Sequence, residues 1–178
     1  MGATGIVRRI DDLGRIMIPK EIRRTLHIKE GDPFEIFIQD GGVFYKKYSA
    51  LKNIEDFAQQ YTDSLYKTIN QVSIITDKDT VIAISGVAKK DFIAKSISNE
   101  LERIIDNREI FTTDTKHINI INDQSVIFYS LIISPIMSEG DVLGVVIIAS
   151  IDNNVKLGIT ETKLAQNAST FLGKQMEE

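Results

Sequence analysis

Apolar and polar positions recur at different periods along this chain, and the changes of period mark its elements. Gly5 to Ile10 and Arg15 to Ile18 read as two strands around Asp11 to Gly14, a turn made of residues that tolerate tight backbone. Pro19 then opens a helix, since a residue without an amide proton suits the first helical position, and Ile18, Ile22 and Leu26 recur at four-residue spacing on one side. Lys20, Arg23 and Arg24 therefore point elsewhere. Beyond the Gly31-Asp32-Pro33 break, Phe34 to Gln39 and Val43 to Tyr48 read as two more strands, and Asp40-Gly41-Gly42 between them suits a tight hairpin. The expected order of this first module is strand, strand, helix, strand, strand.

From Ser49 onward the period becomes helical, with Leu51, Ile54, Ala58, Tyr61, Leu65 and Ile69 three or four apart. The seam spans fewer heptads than a coiled coil needs, so a linker helix packed on its own domain and one packed on its counterpart in a second chain both satisfy it. Val72 to Thr76 and Val81 to Ser85 predict a strand pair around Asp77-Lys78-Asp79-Thr80, and Phe92, Ile93, Ile97, Leu101, Ile104 and Ile105 predict a long helix after it. Three strands are expected at His117 to Ile121, Val126 to Met137 and Val142 to Ile151, then a last helix from about Thr160 to Met176. Helices flanking an antiparallel sheet make an α+β layout. The expected domains are 1–50, a linker helix at 51–70 that is also the first helix of the second domain, and 71–178. On the terminal helix Leu164, Ala168, Phe171 and Gln175 share one side, with the small residues Ala165, Ser169 and Gly173 beside them. Together with the linker helix they are expected to form a bundle joining dimers into a tetramer, burial within one chain being the other account of the same residues.

With 178 residues and 43% hydrophobic content, one ordinary core plus a smaller module is affordable. The absence of Cys excludes disulfides, thiolate metal sites and a cysteine nucleophile, and two histidines, His27 and His117, make a multi-histidine centre improbable, so no metal is expected. His27 reads as a helix-end residue. The start MGATGIVRR lacks the apolar core of a signal peptide, and the longest apolar stretch, Val142 to Ile151, is too short for a bilayer, so the expectation is a cytoplasmic protein with no membrane partner.

Charge divides the chain. Residues 1–48 hold nine Lys/Arg against seven Asp/Glu, a net of +2, and the rest carries −6. Between Thr4 and Leu26 five arginines and a lysine face only Asp11, Asp12 and Glu21, a local +3 of the kind that phosphate backbones attract. A module of some 48 residues with one short helix has too little core to stand alone, so dimerisation is expected.

The runs TGIVRRIDDLGR and IPKEIRRTL, followed by GD and an apolar strand, resemble the AbrB-type transition-state regulators over roughly Thr4 to Tyr48. The resemblance implies a swapped-hairpin fold in which two chains interleave into one DNA-binding body. It places Arg8, Arg15, Arg23 and Arg24 on double-stranded DNA, with Arg9 and Lys20 as weaker candidates. Arginine's planar fork grips phosphate or guanine edges at two points, and the competing reading pairs these residues with Asp11, Asp12 and Glu21. AT-rich promoter regions read partly through shape are the expected targets.

The stretch SPIMSEGDVLGVVII, Ser134 to Ile148, resembles the closing hairpin of GAF domains. The fold class expected is thus mixed α/β, a dimeric AbrB-type swapped-hairpin β domain followed by an α+β GAF-like domain. GAF domains often enclose a small molecule between the sheet and the elements over it. Ser85, Lys89, Lys90, Asp91, Tyr129 and Ser130 are the candidate liners, the competing reading being turn, cap and surface residues. No cofactor is expected beyond such an unidentified ligand. No NKFDE-like nucleotide signature is visible, and bilin attachment and cysteine-based sulfoxide reduction have no thiol.

No Ser/His/Asp set, phosphate-cradling glycine loop or paired carboxylates in a recognisable setting appears, so no enzyme is expected, and Asp77 and Asp79 read as turn residues. The two resemblances in this order imply a transcription regulator of sporulation, nucleoid-associated and active in the forespore. An antitoxin of the MazE type, which shares the swapped-hairpin fold, is the alternative. Such proteins usually end in a short disordered tail, whereas some 125 patterned residues follow here.

Overall fold

The computed structural model describes residues 5–177, so Met1 to Thr4 and Glu178, the outermost residues of the expected domains, lie outside the description. The chain divides into two compact units, Met1–Tyr48 and Ser49–Glu178.

In the first unit, Pro19 sits immediately before helix α1 (Lys20–Thr25), and its carbonyl accepts the first helical hydrogen bond from Arg23. The helix ends in a left-handed residue, His27 (φ 50°), with Ile28 N–H bonding the Arg23 carbonyl and His27 N–H that of Arg24, which satisfies the last carbonyls. Strands β1 (Phe34–Gln39) and β2 (Gly42–Lys47) pair antiparallel from Phe34↔Lys47 to Gln39↔Gly42. Asp40 and Gly41 both have positive φ, the geometry a two-residue hairpin with native twist requires.

The strands expected at Gly5 to Ile10 and Arg15 to Ile18 are not formed among the described residues. Their turn is present, closed by Asp11 N–H to the Arg15 carbonyl and Gly14 N–H to the Asp11 carbonyl, both 3.0 Å. A strand needs a ladder partner and a face to bury, and these arms leave Ile6, Val7, Ile10, Ile16 and Met17 exposed in the single chain.

The second unit is an antiparallel five-stranded sheet of order β4-β3-β7-β6-β5. Its strands are β3 (Val72–Asp77), β4 (Val81–Ser85), β5 (Phe111–Thr113), β6 (Ser130–Ser138) and β7 (Asp141–Ser150). A 3₁₀ turn (Ala50–Ile54) leads into helix α2 (Glu55–Ile69), which lies with α4 (Ile159–Gln175) on one face over Ile75, Ala83, Ile136 and Val146. The other face, Ile74, Ile84, Leu131, Ile133, Val145 and Ile147, is covered by α3 (Asn99–Asp106) and by apolar residues of the irregular run 114–129, including Ile118, Ile120 and Phe128. With both faces covered, β3 is buried throughout, its polar Ser73, Thr76 and Asp77 included, and β7 nearly so, which explains the continuous apolar run of β7.

Two expectations fail here. In place of the long helix expected over Phe92 to Ile105, a 3₁₀ turn (Lys89–Asp91) leads into a further turn at 92–94 and a short bridged run, and only then α3. Ala94 has φ 60°, and Ser98 caps α3 by accepting the Leu101 amide at 3.0 Å. The strand expected at His117 to Ile121 is irregular apart from a bridge between Ile97 and Ile121, and the strand that extends the sheet there is β5.

The small-residue side of α4 lies on its own sheet: Ala165 and Ser169 are buried, Ser169 Oγ lies 2.8 Å from Ser134 Oγ, and a Cβ at Gly173 would collide with the Met137 carbonyl. Ala165, Ser169 and Gly173 are thus used within the chain, and the intermolecular account of these three residues is withdrawn. Phe171, on the other side, stays exposed.

Candidate nucleic-acid interface

The hairpin tip is built around a carboxylate. Asp11 accepts the amide of Leu13 at 3.0 Å, the amide of Arg15 at 2.8 Å and the Arg15 Nε–H at 2.8 Å. The Arg15 amide first, and then its guanidinium, hold the Asp11 carboxyl below its ordinary range. Asp11 engages Arg15 through Nε, on a side chain that remains 70% exposed. Sequence reasoning took Asp11 for a turn residue and possible competitor; the structure makes it the group that holds Arg15. Arg8 and Arg9 are exposed on the arm before the tip, Arg8 touching the carbonyl of Val7 at 3.4 Å.

Lys20, Arg23 and Arg24 are all exposed on α1, and their i, i+3, i+4 spacing brings them onto one face. Two local bonds fix the segment that follows: Asp32 accepts the Lys29 amide at 2.8 Å and pairs with Lys47 Nζ at 3.1 Å.

Among the described residues of this unit, Pro19 alone is buried. Val7 is 88% exposed, Ile38 86% and Met17 78%, and Ile36, Phe37, Val43, Phe44 and Tyr45 are all at least 42% exposed. Both faces of the β1-β2 ribbon thus present large apolar side chains. Burying each would stabilise the unit by about 1.5–3 kcal/mol.

In the second unit the six candidate liners form two groups. Ser85 Oγ donates to Asp63 Oδ1 at 2.5 Å, and Lys89 Nζ lies 3.9 Å from the same oxygen. Lys90 and Asp91 sit on the same 3₁₀ turn as Lys89, Lys90 exposed and Asp91 half-buried. At β6, Tyr129 meets the ring of His117 edge-on at 5.4 Å, and Ser130 Oγ accepts the Leu157 amide at 3.1 Å. With β3 and β7 between β4 and β6, the two groups stand about 14 Å apart. A cleft of about 230 Å³ opens at that end of the sheet, lined by Tyr66, Asn70, Gln71, Gly86, Ser150 and Asp152 among others, and none of the six candidates lines it.

A further feature joins the two long helices. Phe57 and Tyr61 on α2 and Phe171 on α4 form a ring cluster with centroids 5.9 to 6.2 Å apart, Phe57 and Phe171 being 38% and 39% exposed. The sequence suggested that the helices bearing Tyr61 and Phe171 meet in a bundle; here the two rings meet within one chain, joined by Phe57, which belonged to no periodic pattern.

Comparison with known proteins agrees with this division. Residues 53–177 match the family described as Stage V sporulation protein T C-terminal, transcription factor. Residues 7–45 match the family described as Antidote-toxin recognition MazE, bacterial antitoxin. The whole chain is 48% identical to the Stage V sporulation protein T of Bacillus subtilis (strain 168) over 180 aligned positions that cover all of both proteins. The Transition state regulatory protein AbrB of the same organism is 54% identical over 48 residues, which are 27% of this chain and 50% of that protein. In fold, the chain is similar to the GAF domain of an Acinetobacter phosphoenolpyruvate-protein phosphotransferase, with a TM-score of 0.59 at 12% identity over 74% of this chain and 84% of that one. The mixed α/β class and the pairing of an AbrB-type module with a GAF-like module, both expected from the residues, hold.

Proposed function

Because the chain belongs to the stage V sporulation protein T family, we propose that it works at sporulation genes as a DNA-binding transcription regulator whose first unit grips promoter DNA. Identity along the entire length of a protein of that name carries this reading, since both modules match in order. The MazE match covers only residues 7–45 and leaves the 125 residues of the other family match without a role, so the antitoxin reading is the weaker one.

In the mechanism we propose, two copies weave their opening segments together, which buries the apolar ribbon of β1 and β2 and gives the arms at Gly5 to Ile10 and Arg15 to Ile18 their ladder partners. The exposed apolar side chains of the arms and of the ribbon support this. Arg8, Arg15, Arg23 and Arg24 of each copy contact DNA, aided by Arg9 and Lys20. Because they stand on a hairpin tip and a helix of six residues, and not on a long helix that fills the major groove, they favour deformable AT-rich sites read through shape. The protein then resides on the nucleoid, in the cytoplasm of the forespore.

The GAF-like unit sets assembly. Phe57, Tyr61 and Phe171 place an aromatic patch across α2 and α4 that a second copy can cover, joining two dimers into a tetramer and making the occupancy of neighbouring sites cooperative. A small molecule at this unit would tune that contact, and the role assigned is regulatory, not catalytic. Gel shifts with AT-rich and GC-rich duplexes test the reading. Full-length protein is expected to favour the AT-rich duplex, and Arg23→Ala/Arg24→Ala is expected to bind it more weakly while remaining folded; unchanged affinity in the double variant removes these arginines from the interface.

A further inference from the structure

We propose that Gln59 is an edge guard: its side-chain amide occupies the place of a neighbouring strand along the outer side of β4 and so prevents a second copy of this chain from adding a strand there. Strand β4 is the outermost strand of the sheet, and an open edge offers unpaired amides and carbonyls as a template for another chain. Gln59 reaches that edge from α2. Its Nε2 donates to the Ile84 carbonyl at 3.1 Å, and its Oε1 accepts the Ile84 amide at 3.4 Å, so one side chain answers both backbone groups of one residue as a strand would. That orientation of the amide is fixed, because only the oxygen can accept from Ile84 N–H. One Nε2 hydrogen serves the Ile84 carbonyl, and the other is left for Asp63 Oδ1 at 3.0 Å, which holds the amide in place.

Toward Asp79 the edge is closed by backbone. Val81 N–H bonds the Lys95 carbonyl at 3.1 Å, Ala94 N–H bonds the Val81 carbonyl at 2.9 Å, and Ile97 N–H bonds the Asp79 carbonyl at 2.9 Å. Ile84 is therefore the position where closure depends on one side chain. The opposite edge carries an independent device: β5 pairs β6 only at Leu131 to Ile133, and beyond it Pro135, which has no amide proton, interrupts the exposed side of β6. With both edges shut, assembly is directed to closed contacts through helix faces and away from open strand-to-strand chains.

Amide hydrogen exchange and sedimentation of the full-length protein test this. The Ile84 amide is expected to be protected in the native protein; exchange as fast as that of an exposed amide overturns the clamp outright. In Gln59→Ala, Ile84 exchange should rise roughly tenfold, the value of one lost hydrogen bond, with Ile147 in β7 unchanged, and species larger than the native assembly should grow with concentration. Faster exchange at an unchanged assembly size overturns the guard role. If Gln59→Ala does not fold, Gln59→Glu decides, since it keeps the acceptor for Ile84 N–H and loses the donor to its carbonyl. Concentration-dependent growth in Gln59→Glu supports the guard, and native-sized particles refute it.

Discussion

Arg15 and Asp11 share one hairpin tip, and their pairing sets opposite electrostatic and geometric effects against each other. Removing Asp11 deletes a negative charge, which on Coulomb grounds alone should strengthen contact with phosphate. It also frees a guanidinium that Asp11 holds through Nε at 2.8 Å. Ordering a long side chain on binding costs about 0.5–1.5 kcal/mol, so we expect Asp11→Ala to weaken DNA binding about 2–10-fold in a fluorescence titration, and tighter binding would show that charge outweighs positioning. Asp63 gives a pH test. The Ser85 hydroxyl first, then Gln59 and the nearby Lys89 and Lys67, hold its carboxyl below the ordinary range. A carboxyl with a lowered folded pKa stabilises above its unfolded value, near 3.9, and loses that contribution as pH falls through the folded one. Denaturant unfolding of the native protein should therefore show stability falling below about pH 4, with a shallower slope in Asp63→Asn. The local positive charge of the six basic candidates was visible because charge is a property of composition. Asp63 was not, because its partners Ser85 and Lys89 lie 22 and 26 positions along the chain and only the sheet brings them near.

Elements with one continuous physical cause were read correctly, and those assembled from distant pieces were not. Strands β4 and β7 follow from continuous apolar runs, β3 from Val72, Ile74 and Ile75 bounded by a turn, and α4 from an uninterrupted helical period. The spacing of Phe92, Ile97, Leu101 and Ile105 imitated a helix because the irregular run 92–98 and α3 both send apolar side chains into the same core. Ala94 with positive φ breaks the helix without announcing it, whereas Ser98, a residue type favoured at N-caps, marked the start of α3 and was outweighed by the apolar spacing. Strand β5, with one large apolar residue in Phe-Thr-Thr, carried too little pattern to find. Two glycines mark close approaches between elements: a Cβ at Gly144 would collide with the Thr76 carbonyl across β7 and β3, and one at Gly173 with the Met137 carbonyl beneath α4. Backbone cannot yield as a flexible side chain does. Gly144→Ala and Gly173→Ala should each destabilise the second unit by about 1–3 kcal/mol, measured by urea unfolding, and native-like stability in either would mean that the elements separate without cost.

At the scale of the whole molecule, the two units differ in what they do with apolar surface. The second buries it on both faces of its sheet, while the first leaves it open. That contrast supports an interleaved dimer through the first unit, and the ring cluster of Phe57, Tyr61 and Phe171 supports a second contact between dimers. Replacing Phe57 and Phe171 by Ser should reduce the assembly from tetramer to dimer in sedimentation while leaving the first-unit dimer intact; an unchanged tetramer would place the contact elsewhere. The order of modules was legible from motifs, whereas the state of the first unit's arms depends on a second chain that no single sequence displays. The most direct test is the salt dependence of full-length protein binding to an AT-rich duplex. Four arginines from each of two chains give about eight phosphate contacts and a slope of log affinity against log salt near −7, whereas the four of one chain give about −3.6. A slope near −7, hence a loss of roughly 10⁴ in affinity between 50 and 200 mM salt, is the result we predict. A slope near −3.6, or binding indifferent to salt, would contradict an interface built from the paired arginines of two woven chains.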